Sequence, residues 1–175
     1  MIDRRELAQD LVAAAWLEGD FVLRSGRRSK YYFDKYLFET QPAILRRVAH
    51  LLAELVPAGA QRLAAPELGA IVLGAAVSLE VELPLVLIRK EAKEYGTAKA
   101  LEGVLERGDR VCLIEDVLTT GGEAIRSAEK VREAGGEVLR LIAVLDREEG
   151  AAENLAAAGI GFAAVYRRSE LPVSS

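Results

Sequence analysis

The sequence predicts an α/β fold in which helices flank a central, mostly parallel sheet. Apolar segments of strand length alternate with segments of helical periodicity from about residue 62 onward, as in chains built from β-α-β units. These strand segments lack alternating polar residues, which is typical of strands covered on both faces. The 175 residues are 51% hydrophobic and 29% charged, a composition that suits one hydrophobic core. We therefore expect a single domain over residues 1–175.

The N-terminal part is expected to hold a helix and a pair of short strands. Asp3 can cap a helix that runs to about Glu18, because apolar residues recur at helical spacing after it. Two short strands follow at 21–23 and 31–33, separated by a basic stretch rich in turn-forming residues.

Caps, breakers and periodicity predict the remaining elements. Thr40 as cap and Pro42 in the first turn open a second helix, which ends at 57–59. The later elements, in order, are a strand at 62–65, a loop at 66–69 followed by a helix to about 79, strands at 85–88 and 111–114, a helix at about 122–134, a strand at 138–145, a helix at 148–158 and a strand at 161–165. The connection 89–108 carries little helix or strand signal, so it is either functional or disordered.

Composition excludes several classes of function. The net charge of −4 argues against a nucleic-acid binder that depends on bulk positive charge. Cys112 is the single cysteine, which excludes an internal disulfide and a multi-cysteine zinc site. No apolar run approaches the ~20 residues that span a bilayer, and the N-terminus does not resemble a signal peptide. We expect a cytoplasmic protein with no nucleic-acid or membrane partner.

The segment 111–124 is the most informative, because an apolar strand leads into two acids, two threonines, two glycines and a helix. Such a turn at a helix N-terminus offers backbone N–H groups and the positive dipole end to an anion. Glu115 and Asp116 can accept from sugar hydroxyls or hold a hydrated Mg²⁺. The pattern predicts a site for a phosphorylated sugar; a turn with solvated acids is the plainer alternative.

The residues IEDVLTTGG at 114–122 resemble the phosphoribosyl pyrophosphate (PRPP) signature of the type I phosphoribosyltransferases. The resemblance implies that family's fold, with the acids on the ribose hydroxyls and the loop around the 5′-phosphate. It implies PRPP contacts from Glu115, Asp116, Val117, Leu118, Thr119, Thr120, Gly121, Gly122 and Glu123. The signature does not identify the base that is transferred.

Residues 89–96 carry three cations, Arg89, Lys90 and Lys93, in the long connection. Cations on a mobile loop could stabilise the charge of a departing pyrophosphate; surface ion pairs with the glutamates between them are the alternative. The pattern Arg-Lys-x-x-Lys-x-x-Gly resembles the flexible loop of orotate phosphoribosyltransferases. By that resemblance all three cations bind PRPP, and Lys93 is the catalytic cation nearest the leaving group.

Two further segments resemble the same family. Residues 21–34 are similar to its N-terminal hood, which implies that Tyr32 and Phe33 line the orotate ring. Aromatic residues beside cations suit a flat anionic ring, although Tyr31 and Phe33 could instead form the core face of a strand. Arg147 follows a strand, where a guanidinium can grip a carboxylate or remain a surface residue. The resemblance assigns it to orotate, together with Thr119.

The resemblance spans about residues 21–150 and implies transfer of phosphoribosyl from PRPP to orotate, with Mg²⁺ as cofactor and a homodimer as assembly. It divides the chain into a hood of about 1–40 plus the C-terminal tail and a core of about 41–165. Departures from the family pattern are Tyr95 for histidine, Arg24 for lysine, and Glu67-Leu68 for a Tyr-Lys pair. A phosphoribosyltransferase for another base and a non-catalytic PRPP-sensing regulator remain open alternatives.

Overall fold

The computed structural model describes residues 2–22, 26, 28–90 and 100–173. In chain order, its elements are α1 (Arg4–Ala15), β1 (Trp16–Val22), β2 (Arg28–Phe33), α2 (Lys35–Glu39), α3 (Pro42–Ala53), β3 (Arg62–Pro66), α4 (Gly69–Val81), β4 (Leu85–Ile88), β5 (Leu101–Glu102), β6 (Arg110–Leu118), α5 (Gly122–Glu133), β7 (Glu137–Asp146), α6 (Ala151–Ala157) and β8 (Phe162–Arg167). A short 3-10 turn follows at Arg168–Glu170.

A six-stranded sheet forms the centre, in the order β5-β4-β3-β6-β7-β8. The strands from β4 to β8 in that order run parallel, and β5 pairs antiparallel to β4. The expected mostly parallel sheet is therefore confirmed.

Each face of the sheet carries its own apolar core. One core combines residues of α1 to α4 with Cys112 and Ile114 of β6, and the other combines residues of α5 and α6 with Val111 and Leu113. Alternate residues of β6 thus enter opposite cores, so both faces of this strand are buried. That is the physical reason why the strand shows no polar alternation.

The N-terminal segment differs most from the sequence-based expectation. Asp3 does cap α1, accepting hydrogen bonds from the N–H groups of Arg5 and Glu6 at 2.9 and 3.2 Å. The helix ends at Ala15, not at Glu18, because Trp16 begins a strand that pairs antiparallel with β2. The expected strands are confirmed but the hairpin is longer than predicted, and it forms a separate two-stranded sheet.

The connection from hairpin to core contains a helix that the sequence did not predict. Asp34 caps the five-residue α2 by accepting from the N–H of Tyr36 at 3.1 Å. Thr40 closes α2, so its expected role as cap of α3 is wrong, and Gln41 occupies that position instead. Pro42 opens α3 as expected.

In the second half of the chain the main correction concerns β6. The strand continues beyond Ile114 to Leu118, and Glu115 and Val117 pair with β7 opposite Ala143 and Leu145. The two acids therefore belong to the strand itself. Helix α6 begins at Ala151, later than predicted, after Gly150 at φ +99°. Among the helices of the described ranges, none combines the length and the hydropathy that a membrane-spanning segment needs.

Candidate active site

A cleft of about 740 Å³ lies at the carboxyl ends of β3, β4 and β6, which is where ligands bind in open parallel sheets. Helix α2, the first turn of α4 and one face of α5 complete its walls. The lining residues are Lys35, Tyr36, Pro66, Glu67, Leu68, Gly69, Ala70, Ile88, Arg89, Lys90, Glu115, Asp116, Val117, Glu123, Arg126, Ser127 and Lys130.

The two acids at the end of β6 differ in their partners. Asp116 accepts from the N–H of Val117 on Oδ1 at 2.6 Å, and its Oδ2 forms an ion pair with Lys35. Glu115 is buried, and its Oε1 has no hydrogen-bond partner among the described residues. Burial, with the neighbouring charge of Asp116, raises the pKa of Glu115 to about 8. Glu115 thus offers an unused polar atom, whereas Asp116 is already held on both oxygens.

Two threonines and a glycine turn form the loop after β6. Thr119 and Thr120 are exposed, and Gly121 has φ +79°, a conformation that favours glycine. Asn154 of α6 donates to the carbonyl of Thr120 at 2.9 Å and anchors the loop. The residues 119–122 adjoin the cleft without lining it, and the side chain of Leu118 lies in the core, so only its backbone can face a ligand.

Several cations also line the cleft. Arg89 and Lys90, both predicted PRPP ligands, follow β4, and their carbonyls accept from Nζ of Lys130 at 2.6 and 3.0 Å. Arg126 pairs with Glu123 at 2.7 Å on the same face of α5. Lys93 and Tyr95 lie outside the described residues.

Arg147 lies at the carboxyl end of β7, next to the loop that follows β6. Its backbone N–H donates to the carbonyl of Leu118 at 2.9 Å. Its guanidinium is buried, donates to the hydroxyl of Tyr31 at 2.9 Å and pairs with Glu149 at 2.8 Å. Nε of Arg147 has no hydrogen-bond partner in the described part of the chain.

The aromatic residues of β2 have separate roles. Tyr31 stacks on Trp16 with ring centroids 4.1 Å apart, beneath the guanidinium of Arg147. Tyr32 is exposed, whereas the ring of Phe33 is only 6% exposed and packs against Phe38. The core-facing alternative is therefore right for Phe33, which can offer only its backbone to a ligand.

Several cleft residues were not singled out from the sequence. Lys130, Arg126 and Ser127 lie on one face of α5 with Glu123, and this helical spacing after the glycine turn could have indicated them. Lys35 and Gly69 reach the cleft from α2 and α4. No local pattern around either residue points to the cleft.

Comparison with known proteins first defines the class. Residues 38–167 match the family model of the phosphoribosyl transferase domain, which covers well over half of the chain. An orotate phosphoribosyltransferase of Methanocella arvoryzae is 45% identical over 153 residues, 87% of each chain. The chain belongs to the orotate phosphoribosyltransferase family, and the expected resemblance is confirmed.

Solved structures agree with this assignment. UMP synthase of Leishmania donovani superposes with a TM-score of 0.88 at 35% identity, covering 97% of this chain but only 37% of that protein. The orotate phosphoribosyltransferase of Mycobacterium tuberculosis in complex with PRPP gives a TM-score of 0.81 at 28% identity, covering 98% of this chain and 100% of that one.

Proposed function

We propose that this chain transfers the phosphoribosyl group of PRPP to N1 of orotate, which yields orotidine 5′-monophosphate and pyrophosphate in pyrimidine biosynthesis. The observation that carries the proposal is the contact between two strand ends. The Arg147 N–H bonds to the carbonyl of Leu118, so a candidate carboxylate anchor adjoins a candidate phosphate loop. A relative with this activity in its name is 45% identical over most of the chain.

PRPP would occupy the cleft at the end of β6. Glu115 and Asp116 accept from the ribose hydroxyls, while the backbone of 117–123 surrounds the 5′-phosphate at the start of α5. Arg89, Lys90 and Lys93 attract the pyrophosphate. A cleft lined by both cations and acids suits a ligand whose phosphates and sugar hydroxyls need opposite partners.

Orotate would lie towards the hood. The buried guanidinium of Arg147 has an unpartnered Nε, which favours capture of a carboxylate. The Thr119 hydroxyl, the exposed Tyr32 ring and the backbone of Phe33 complete our orotate site.

The reaction needs no protein nucleophile. N1 of orotate supplies the electron pair of the new bond to C1 and gives up its proton to solvent water, and the C1–O electrons leave with pyrophosphate. The chain contributes alignment of the two substrates and stabilisation of leaving-group charge. Cys112, whose pKa is raised to about 12 by burial, is a packing residue.

Mg²⁺ fits this cleft as a companion of PRPP. Within the described residues, no group of three or more acidic, histidine or cysteine side chains could hold a metal alone. The unpartnered Oε1 of Glu115 can accept from a metal-bound water. Bound to the pyrophosphate oxygens and water, the ion would offset leaving-group charge.

We further propose a cytoplasmic homodimer of single-domain chains, each with a hood of about 1–40 plus the C-terminal tail and a core of about 41–165. The two-stranded hairpin, separate from the main sheet, supports the division into hood and core. The single cysteine with a buried thiol suits a reducing compartment. The homodimer follows from the family resemblance.

The test is an assay of orotate absorbance after addition of PRPP and Mg²⁺. We expect orotate to disappear with one pyrophosphate released per orotate, and no reaction without PRPP. Uracil, adenine, guanine and hypoxanthine serve as competing bases. Consumption of another base in place of orotate, or PRPP binding without any pyrophosphate release, would overturn the proposal in favour of one of the two alternatives.

A further inference from the structure

Lys35 brings a charged group of the hood to the end of β6. It is the first residue of α2, and its side chain, 30% exposed, lines the cleft. Its ammonium donates to Oδ2 of Asp116. Because these residues are 81 positions apart in the chain, the ion pair connects the hood to the strand that bears the PRPP signature.

The ion pair fixes one of the two signature acids. Oδ1 of Asp116 accepts from the N–H of Val117, and Oδ2 accepts from Lys35. A carboxylate has about four acceptor positions, so two contacts hold the group in one orientation and still leave positions for hydroxyl donors. Glu115 has no comparable restraint on its Oε1 from the described residues.

The start of α4 confines the pair. A Cβ at Gly69 would lie 2.7 Å from both Cε and Nζ of Lys35, and closer still to Oδ2 of Asp116. Only a residue without a side chain lets the backbone of α4 approach this closely. The lysine side chain is therefore packed between α4 and β6, which restricts its conformations.

The carboxylate of Asp116 keeps Lys35 charged. Burial alone lowers the pKa of Lys35, but Asp116 and, more weakly, Tyr36 and Glu39 raise it above its ordinary value. Glu39 is buried beside the pair, and burial raises its own pKa to about 8. Glu39 is thus mostly protonated near neutral pH, so Asp116 is the carboxylate that the ammonium pairs with.

We propose that Lys35 is a positioning residue for PRPP, holding the Asp116 carboxylate in the orientation that accepts a ribose hydroxyl. The inference rests on the proposed function. Lys35 acts through Asp116, so removing the lysine weakens PRPP binding only as long as Asp116 is a carboxylate. Because misplacement of a positioning group weakens ligand binding without removing the contact itself, the loss is smaller than that caused by removing Asp116.

The test is a double-mutant cycle with Lys35→Met, Asp116→Asn and the double variant. PRPP affinity is measured by calorimetry, and KM and kcat are measured for both substrates. Lys30→Met is the matched control, since Lys30 is a hood lysine with an 85% exposed side chain paired with an exposed aspartate. Lys35→Arg retains a cation and supplies a second variant.

We expect Lys35→Met to weaken PRPP binding roughly tenfold, the scale of one hydrogen bond to a charged group, with little change in the orotate KM. The double variant should bind PRPP no more weakly than Asp116→Asn, and Lys35→Arg should regain part of the loss. Lys30→Met should match the wild type. Circular dichroism verifies that each variant is folded.

Three results would overturn the inference. Unchanged PRPP affinity in Lys35→Met removes any role for the lysine. Additive losses in the double variant mean that Lys35 contacts the ligand directly instead of acting through Asp116. A wild-type chain that binds no PRPP rejects the proposed function together with this inference, and it is recognised before any variant is measured.

Discussion

The Glu39→Gln substitution should stabilise the folded chain, and the gain should increase as the pH rises from about 5 to 8. Glu39 is 1% exposed, and neither of its carboxylate oxygens has a hydrogen-bond partner in the described ranges. Burial and then the charge of Asp116 raise its pKa from 4.5 to about 8, although Lys35 acts in the opposite sense. The folded chain therefore retains a proton that the unfolded chain releases.

The sign of the effect follows from proton linkage. Well below pH 4.5 the glutamate is protonated in both the folded and the unfolded state, so its ionisation does not change the free energy of unfolding. Between 4.5 and about 8 the folded state binds more protons than the unfolded state, so the free energy of unfolding falls as the pH rises. Each pKa unit corresponds to about 1.4 kcal/mol, which sets an upper limit of roughly 5 kcal/mol at pH 8. Glutamine cannot ionise, so the variant does not lose this part of the free energy of unfolding as the pH rises.

We expect the variant to gain between about 2 and 5 kcal/mol at pH 8 and less than about 1 kcal/mol at pH 5. Urea denaturation followed by circular dichroism, at half-unit steps from pH 5 to 8.5, measures both proteins. Glu115 has a raised pKa in the same range, so the difference between variant and wild type isolates Glu39. The exposed Glu129 of α5 provides the control, and Glu129→Gln should change stability by less than about 0.5 kcal/mol.

A stability difference that does not change with pH would refute the reasoning, since it would mean that Glu39 does not retain a proton on folding. A wild-type chain as stable as the variant at pH 8 would refute it equally. Either result would also remove the argument that Glu39 is protonated and that Asp116 alone forms the ion pair with Lys35.

Three other predictions concern the proposed ligands. Lys93→Ala should lower kcat by orders of magnitude while calorimetry still detects PRPP binding, because the lysine is assigned to leaving-group charge; a near-normal rate would remove it from the mechanism. Arg147→Ala should raise the orotate KM at least tenfold with little change in PRPP affinity. Arg147→Lys should not restore the orotate KM, because a bidentate contact with a carboxylate needs the guanidinium fork. Equal effects on the affinities for orotate and PRPP would contradict this assignment of Arg147. Gly121→Ala, at φ +79°, should lower the free energy of unfolding by about 1–2 kcal/mol in urea and weaken PRPP binding, whereas unchanged stability would show that the loop relaxes.

Most of the central sheet was predictable, because its strands are long and apolar enough to be recognised from their own local sequence. β4 has the predicted bounds, and β3, β6, β7 and β8 lie at predicted positions. The elements that were not predicted, or whose bounds were predicted wrongly, are those that depend on contacts with residues distant in the chain. α1 stops at Ala15 because Trp16 pairs with Phe33 and stacks on Tyr31, and the two-residue β5 exists through its pairing with β4.

The candidate site was predictable where its residues are contiguous. The signature acids, the glycine turn and the cations after β4 each belong to one segment, so their spacing carries information. Lys35 and Gly69 could not be found in this way, because each acquires its place only when α2 and α4 pack against the end of β6. The ring of Phe33 faces the core for the same kind of reason, through its packing on Phe38.

The hood is structurally part of the site, because one short hood segment contacts both a proposed orotate ligand and a proposed ribose ligand. Tyr31 contacts Arg147, the proposed orotate anchor, and Lys35 contacts Asp116, a proposed ribose ligand. Between them, the N–H of Asp34 donates to the carbonyl of Ala15 at 2.8 Å and ties the segment to α1. Since the two contacts are four residues apart, a displacement of this segment would move both together. Tight packing of the hairpin through the Trp16–Tyr31 stack therefore contributes to the geometry of both substrate positions, although neither ring needs to touch PRPP.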